Sequence, residues 1–222
     1  MSTGSSREPR YVPALSLRCL TPIYDPVVAA TTRENEFKRR LVQEMDLRPA
    51  ERVLDIGCGT GTLAVMLKRA EPSIELLGVD GDPDVLRAAR AKAAAAGLDI
   101  EFNAGLAGEL SLPESSVDKV ASTLVFHHLS TSVKRAALTD ILRTLRPGGQ
   151  FYLADLSGVP AALAKTLYLP FRLFDGLENT ADNFYGRLPR LMSEMGFDQV
   201  EQRARFLTIV GPVSIISAHK AG

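Results

Sequence analysis

The stretch Val53-Leu54-Asp55-Ile56-Gly57-Cys58-Gly59-Thr60-Gly61 concentrates the chemistry that this sequence offers. Alternating glycines let a chain turn sharply after a strand and let a ligand approach without meeting a Cβ. Asp55 stands just before them, so a carboxylate marks the strand's end. Such a group repels a phosphate and attracts an ammonium or a sulfonium. A second carboxylate, Asp80, closes Gly78-Val79-Asp80, with Gly81 after it. An acid at the end of a strand can accept two hydrogen bonds from a ribose diol. His127-His128 adds a group that titrates near neutral pH and could serve as a general base, or could simply pack at a strand exit.

Two rival readings of the glycine loop fail. A dinucleotide site asks for G-x-G-x-x-G with a pyrophosphate on the helix N-terminus. Here the third glycine comes one residue early, and Asp55 would oppose the pyrophosphate. A phosphate-binding Walker loop needs a Lys-Ser/Thr pair, where this chain has Thr60-Gly61-Thr62.

Short apolar strands and helices alternate around these residues. A helical pattern over 26–45 places Phe37, Leu41 and Met45 on one face, and Pro49 ends it. A strand over 52–56, a helix over 62–70 and a strand over 74–79 follow. The next helix begins at Asp82-Pro83, an N-cap followed by a first-turn proline, and ends at Gly97. Strands are predicted over 99–102 and 119–125, a helix over 134–145, and a strand over 150–155 after Pro147-Gly148-Gly149. After a helix over 188–195, segments 200–209 and 213–218 flank Gly211-Pro212 and read as an antiparallel pair. The alternation implies right-handed βαβ units and a parallel sheet covered on both faces. Residues 1–20, rich in Ser, Pro and Arg, read as a mobile segment ahead of one domain over 21–222.

Bulk properties narrow the function. Acidic and basic residues balance at 26 each, so no global charge favours nucleic acid or an anionic membrane. Two cysteines, Cys19 and Cys58, point to a reducing, cytoplasmic setting. The N-terminus lacks a signal-peptide pattern, and no run reaches the roughly 18 apolar residues a membrane span needs. Three histidines without clustered ligands argue against a metal site.

At these residues a family resemblance becomes specific. Val53 through Gly61 resembles the first motif of class I S-adenosylmethionine-dependent methyltransferases, and Gly78-Val79-Asp80 resembles their second. Leu145-Arg146-Pro147-Gly148-Gly149 looks like the turn before their fifth strand. Val117-Asp118-Lys119-Val120 through Phe126-His127-His128-Leu129 looks like their fourth strand and its exit. The likeness spans about residues 20–220 and leans toward the small-molecule branch with the ubiquinone and menaquinone C-methyltransferases.

That resemblance implies a seven-stranded, Rossmann-like α/β sheet of order 3-2-1-4-5-7-6 with strand 7 antiparallel. It implies S-adenosyl-L-methionine as cofactor, S-adenosyl-L-homocysteine as product, and a small-molecule acceptor methylated by in-line displacement. Asp55 with Gly57, Cys58, Gly59 and Gly61 would hold the methionine end, and Asp80 with Gly81 the ribose. Leu106 and Ala107 would pass beside the adenine, and Thr123 and Leu124 would line the floor. Many relatives carry an Asp near position 106; Gly105-Leu106-Ala107-Gly108 leaves adenine recognition to apolar packing and backbone groups. Segment 157–187 is the variable insertion that shapes the acceptor pocket in this fold. Its apolar stretch 160–177 reads as a lid, a homodimer contact or a membrane-surface contact, and tilts the substrate toward a hydrophobic or aromatic molecule. Tyr24, Tyr168, Phe171 and Tyr185 are the acceptor-facing candidates, and His127 and His128 the candidate bases. Two other functions stay open: a catalytically silent donor-binding protein and an NAD-dependent oxidoreductase.

Overall fold

Strand β1 (Arg52–Ile56) shows how the sequence builds the molecule. Its side chains alternate between two separate apolar clusters, Val53 entering one and Leu54 and Ile56 the other. A strand buried on both faces requires cover on both sides, which the helices supply. The computed structural model describes residues 33–158, 182–183, 185–209 and 211–222. Helices α1 (Glu34–Met45), α2 (Thr62–Ala70) and α3 (Pro83–Ala95) cover one face. Helices α4 (Thr131–Thr144) and α5 (Leu188–Glu194) cover the other.

The remaining strands are β2 (Glu75–Asp80), β3 (Glu101–Ala104), β4 (Val117–Thr123), β5 (Leu145–Leu156), β6 (Asp198–Thr208) and β7 (Gly211–His219). They form one seven-stranded sheet of order β3-β2-β1-β4-β5-β7-β6. β1 through β5 run parallel, whereas β7 is antiparallel to both β5 and β6. The expected strand order and the antiparallel β7 are borne out.

Several boundaries move, each for a local reason. β3 lies two residues later than expected because it pairs through Gly78↔Phe102. Gly78 leaves room for that ring, since a Cβ there would stand 2.6 Å from Phe102 Cδ1. β4 stops at Thr123 because Leu124 turns to φ 55, a left-handed conformation that cannot continue a strand. Helix α4 starts at Thr131, earlier than expected, because Ser130 caps it through Val133 N. Pro147-Gly148-Gly149 does not separate helix from strand: β5 already begins at Leu145, opposite Val117, with an irregularity before Lys119 resumes the pairing. Asp82 caps α3 as expected, accepting from Asp84 N at 2.8 Å.

The segments that follow β1, β2 and β4 leave from the carboxyl ends of these strands, where an open α/β sheet forms its binding crevice. No helix among the described residues is long and apolar enough to cross a membrane. Most of the 157–187 insertion, its 160–177 stretch included, lies outside the described residues.

Candidate functional site

Asp55 is fully buried, and neither oxygen of its carboxylate has a hydrogen-bond partner. Alternation along β1 turns it toward the face covered by α1. Burial pushes its carboxyl from the ordinary 3.8 up to about 7, opposed by the charge of Lys38 on α1 and reinforced by Asp80. Lys38 is itself buried and paired with Glu34 one turn earlier. A carboxylate so placed is costly unless a cation meets it.

The glycines after it have separate duties. Gly57 (φ 67) permits close packing: a Cβ there would stand 2.2 Å from Val125 Cγ2. Gly59 (φ 53) borders open space, with nothing within 4 Å of a Cβ. That is the place where a ligand can touch bare backbone. The loop is held from behind by Gly57 N and Cys58 N, which donate to Val79 O at 2.7 and 3.1 Å. Lys92 of α3 reaches the hydroxyls of Thr60 and Thr62 at 2.9 and 2.8 Å, tying down its outer side. Cys58 is packed into this turn, and burial pushes its thiol far above the ordinary range, so it is no nucleophile.

Asp80 is oriented by the same loop. Gly59 N donates to its Oδ2 at 2.9 Å and Asp82 N to its Oδ1 at 3.0 Å. Each oxygen keeps acceptor capacity, since a carboxylate offers about four lone-pair sites. Burial raises its carboxyl, against the N–H groups of Asp82, Gly59 and Gly81. Gly105 N donates to Asp80 O at 3.0 Å, which sets half-buried Leu106 and Ala107 beside the end of β2. Thr123 is buried at the end of β4, and Leu124 N donates to Ala154 O at 2.9 Å in its left-handed conformation. Backbone strain of this kind gathers at working sites.

The turn after β4 contains a histidine–aspartate pair. His127 Nδ1 lies 2.7 Å from Asp155 Oδ1, and both side chains are buried. Asp155 also accepts from Val125 N, Phe126 N and Leu156 N at 3.0, 2.7 and 2.7 Å. Burial alone would raise this carboxyl, but His127 and the Leu156 N–H outweigh it and hold it below the usual range. In a neutral ring whose Nδ1–H donates to Asp155, Nε2 would be left as an acceptor. The His128 ring packs on His127 with centroids 3.9 Å apart. Behind them, the buried Lys134 Nζ stands 3.7 Å from Asp182 Oδ2, and burial lowers its ammonium below the usual lysine range.

Thus Asp55, Gly57, Cys58, Gly59, Gly61, Asp80, Gly81, Leu106, Ala107, Thr123, Leu124, His127 and His128 all sit on loops or strand ends at the carboxyl edge of the sheet. Tyr185 is 70% exposed, with the Arg187 guanidinium 5.0 Å from its ring centre. Tyr24, Tyr168 and Phe171 lie outside the described residues. Sequence reasoning overlooked Lys38, Lys92 and Asp155. An Asp ending an apolar strand was the available signal for Asp155; the two lysines gave none, because their partners are distant in the chain.

Comparison with known proteins agrees with this geometry. Residues 53–149 match the family described as a methyltransferase domain. The chain is 30% identical over 200 residues to the demethylmenaquinone methyltransferase of Deinococcus radiodurans, covering 86% of this chain and 81% of that protein. It is 33% identical over 132 residues to the Thermus thermophilus demethylmenaquinone methyltransferase, a match spanning 60% of this chain and 59% of that one. A solved methyltransferase from Methanosarcina mazei shares the fold with a TM-score of 0.65 at 23% identity, over 82% of this chain and 97% of the other. A buried carboxylate without a hydrogen-bond partner beside open glycine backbone, an aspartate with spare acceptor sites on the next strand, and these likenesses lead to one assignment: the chain belongs to the class I S-adenosylmethionine-dependent methyltransferases.

Proposed function

We propose that the protein methylates a small hydrophobic or aromatic molecule by in-line displacement, with His127 as proton acceptor. The sealed carboxylate of Asp55, without a hydrogen-bond partner, carries this reading, because it suits the ammonium of S-adenosylmethionine and would repel the pyrophosphate of a dinucleotide. Gly59 gives the amino-acid portion room, and the remaining acceptor sites of Asp80 suit the ribose hydroxyls. When bound, the cofactor supplies an electrophilic methyl group on a sulfonium. The chain's own part is to orient the acceptor, exclude water and take up a proton. Asp155 holds the His127 ring so that Nε2 can receive it. His128 is the second candidate. The Deinococcus and Thermus relatives act on demethylmenaquinone, which supports a small ring-bearing acceptor as the first to try. A cytoplasmic setting belongs to the same reading, supported by the free, buried Cys58. So do a single domain over 21–222, a 157–187 pocket wall and a homodimer contact through its apolar stretch.

Thermal unfolding with S-adenosylmethionine, S-adenosylhomocysteine or NAD tests the site. At a hundredfold excess over Kd a ligand adds about 2.7 kcal/mol, which is about 5–10 °C for a chain of this size. Stabilisation by S-adenosylhomocysteine and none by NAD is expected, followed by transfer of labelled methyl to a candidate acceptor. Stabilisation by NAD alone would overturn the reading.

A further inference from the structure

Among the described residues, three buried side-chain polar atoms lack a hydrogen-bond partner: both oxygens of Asp55 and Oδ1 of Asn183. The methyl donor accounts for Asp55. Asn183 is left unexplained. It is fully buried, just ahead of α5, and its Nδ2 donates to Leu156 O at 3.1 Å. Only the amide nitrogen can donate to a carbonyl, so this bond fixes the orientation and leaves Oδ1 as an unused acceptor. The backbone carbonyl is engaged as well, since Asn183 O accepts from Gly158 N and Gly186 N.

Its place in the fold joins it to the histidine pair. Leu124 N donates to Ala154 O, so the carbonyls of Ala154 and Leu156 both leave β5 on the β4 side, by the period of the strand. Ser157 N turns the other way, to Pro212 O. Asn183 thus hangs off the end of β5 toward the turn that carries His127. The neighbouring Asp182 and the His127 partner Asp155 both act on the buried Lys134, which ties the two sides of this corner together. His127 Nε2 has no hydrogen-bond partner among the described residues. The corner therefore offers Asn183 Oδ1 as an acceptor without a donor, and a neutral His127 with its proton on Nδ1 would add Nε2 as a second.

We propose that Asn183 Oδ1, with His127 Nε2, receives the hydrogen-bond donor of the methyl acceptor, making Asn183 a specificity-determining residue. The acceptors it favours carry an O–H or N–H at this point. Molecules that offer only ether or carbonyl oxygens there bind more weakly, because acceptor would face acceptor. This inference rests on the methyltransferase reading.

The test measures binding of four probes to protein saturated with S-adenosylhomocysteine, under nitrogen: 1,4-dihydroxynaphthalene, 1,4-diaminonaphthalene, 1,4-dimethoxynaphthalene and 1,4-naphthoquinone. The diol or the diamine should bind the wild-type protein roughly tenfold more tightly than the dimethyl ether or the quinone, the size of effect a buried hydrogen bond gives. Which of the two is preferred tells a hydroxyl acceptor from an amine. Asn183→Leu, of similar size, should lose most of that preference and keep its S-adenosylhomocysteine affinity; Asn183→Ala is read in the same way should the leucine variant not bind S-adenosylhomocysteine. No preference in the wild-type protein overturns the proposal. So does a full preference in a variant that still binds S-adenosylhomocysteine, the result a merely structural asparagine would give. Wild-type protein that ignores S-adenosylhomocysteine would instead sink the underlying methyltransferase reading.

Discussion

Replacing Asp55 by asparagine should strengthen the ligand-free protein as pH rises and abolish its response to the donor. Burial moves the Asp55 carboxyl from 3.8 up to about 7. A tenfold change in proton affinity is worth about 1.36 kcal/mol, so the ionised group costs the free fold roughly 4 kcal/mol at high pH. In the unfolded chain the proton leaves near the ordinary value; in the folded chain it stays until about 7. Wild-type stability from this group therefore falls with rising pH through that window and is level above it. At pH 5 the cost is roughly 1.5 kcal/mol and at pH 8 roughly 4. Asp55→Asn has no such dependence, so its advantage should grow by roughly 2.5 kcal/mol, or about 5–10 °C in Tm. The constant cost of burying an amide cancels in this difference. Thermal and urea unfolding of both proteins at the two pH values, with and without S-adenosylhomocysteine, supply the numbers. A gap that does not change with pH, or a variant still stabilised by S-adenosylhomocysteine, would refute the reasoning.

Donor affinity should itself rise with pH toward about 7, as Asp55 ionises, and fall again once the donor's amino group loses its proton near 8; calorimetric titrations across that range would reveal the maximum. Asp80→Ala should weaken S-adenosylhomocysteine binding by about 1–3 kcal/mol, measured by the same method. Gly59→Ala should cost about 1–2 kcal/mol for its backbone conformation alone and bind the donor poorly. Gly57→Ala adds the collision with Val125 and should lose about 2–5 kcal/mol of stability in urea. With an acceptor whose proton must be removed, His127→Ala should lower kcat by about 100-fold or more and leave S-adenosylhomocysteine affinity unchanged. Asp155→Asn should shift the pH profile of kcat, since it removes the group that fixes the His127 tautomer.

What was legible in the sequence was what neighbours along the chain determine. The strand into Gly57-Cys58-Gly59-Thr60-Gly61 and the Asp82-Pro83 cap are written in adjacent residues, and each stands where it was expected; the antiparallel pair around Gly211-Pro212 was also legible, but both residues are already part of β7, paired with Thr208 and Leu207. The ends of β3 and β4 were not legible, because pairing against Gly78 and a left-handed Leu124 decide them. The start of β5 escaped for a similar reason: Leu145 finds Val117 on another strand despite the Pro-Gly-Gly that follows it. Within the site, both strand-end aspartates could be named from pattern, but their partners could not. Lys38 lies on a helix that only tertiary packing brings toward Asp55, and Asp155 meets His127 across a parallel crossover. Asn183 has no local motif at all; burial without a partner is what singles it out.

A crystal structure of the protein with S-adenosylhomocysteine is the most direct measurement. The ligand's amino group should stand within hydrogen-bond distance of Asp55, its ribose hydroxyls on Asp80, and its amino-acid portion against Gly59. A complex in which the Asp55 carboxylate still has no partner, with the ligand bound away from the glycine turn, would contradict the assignment of this crevice.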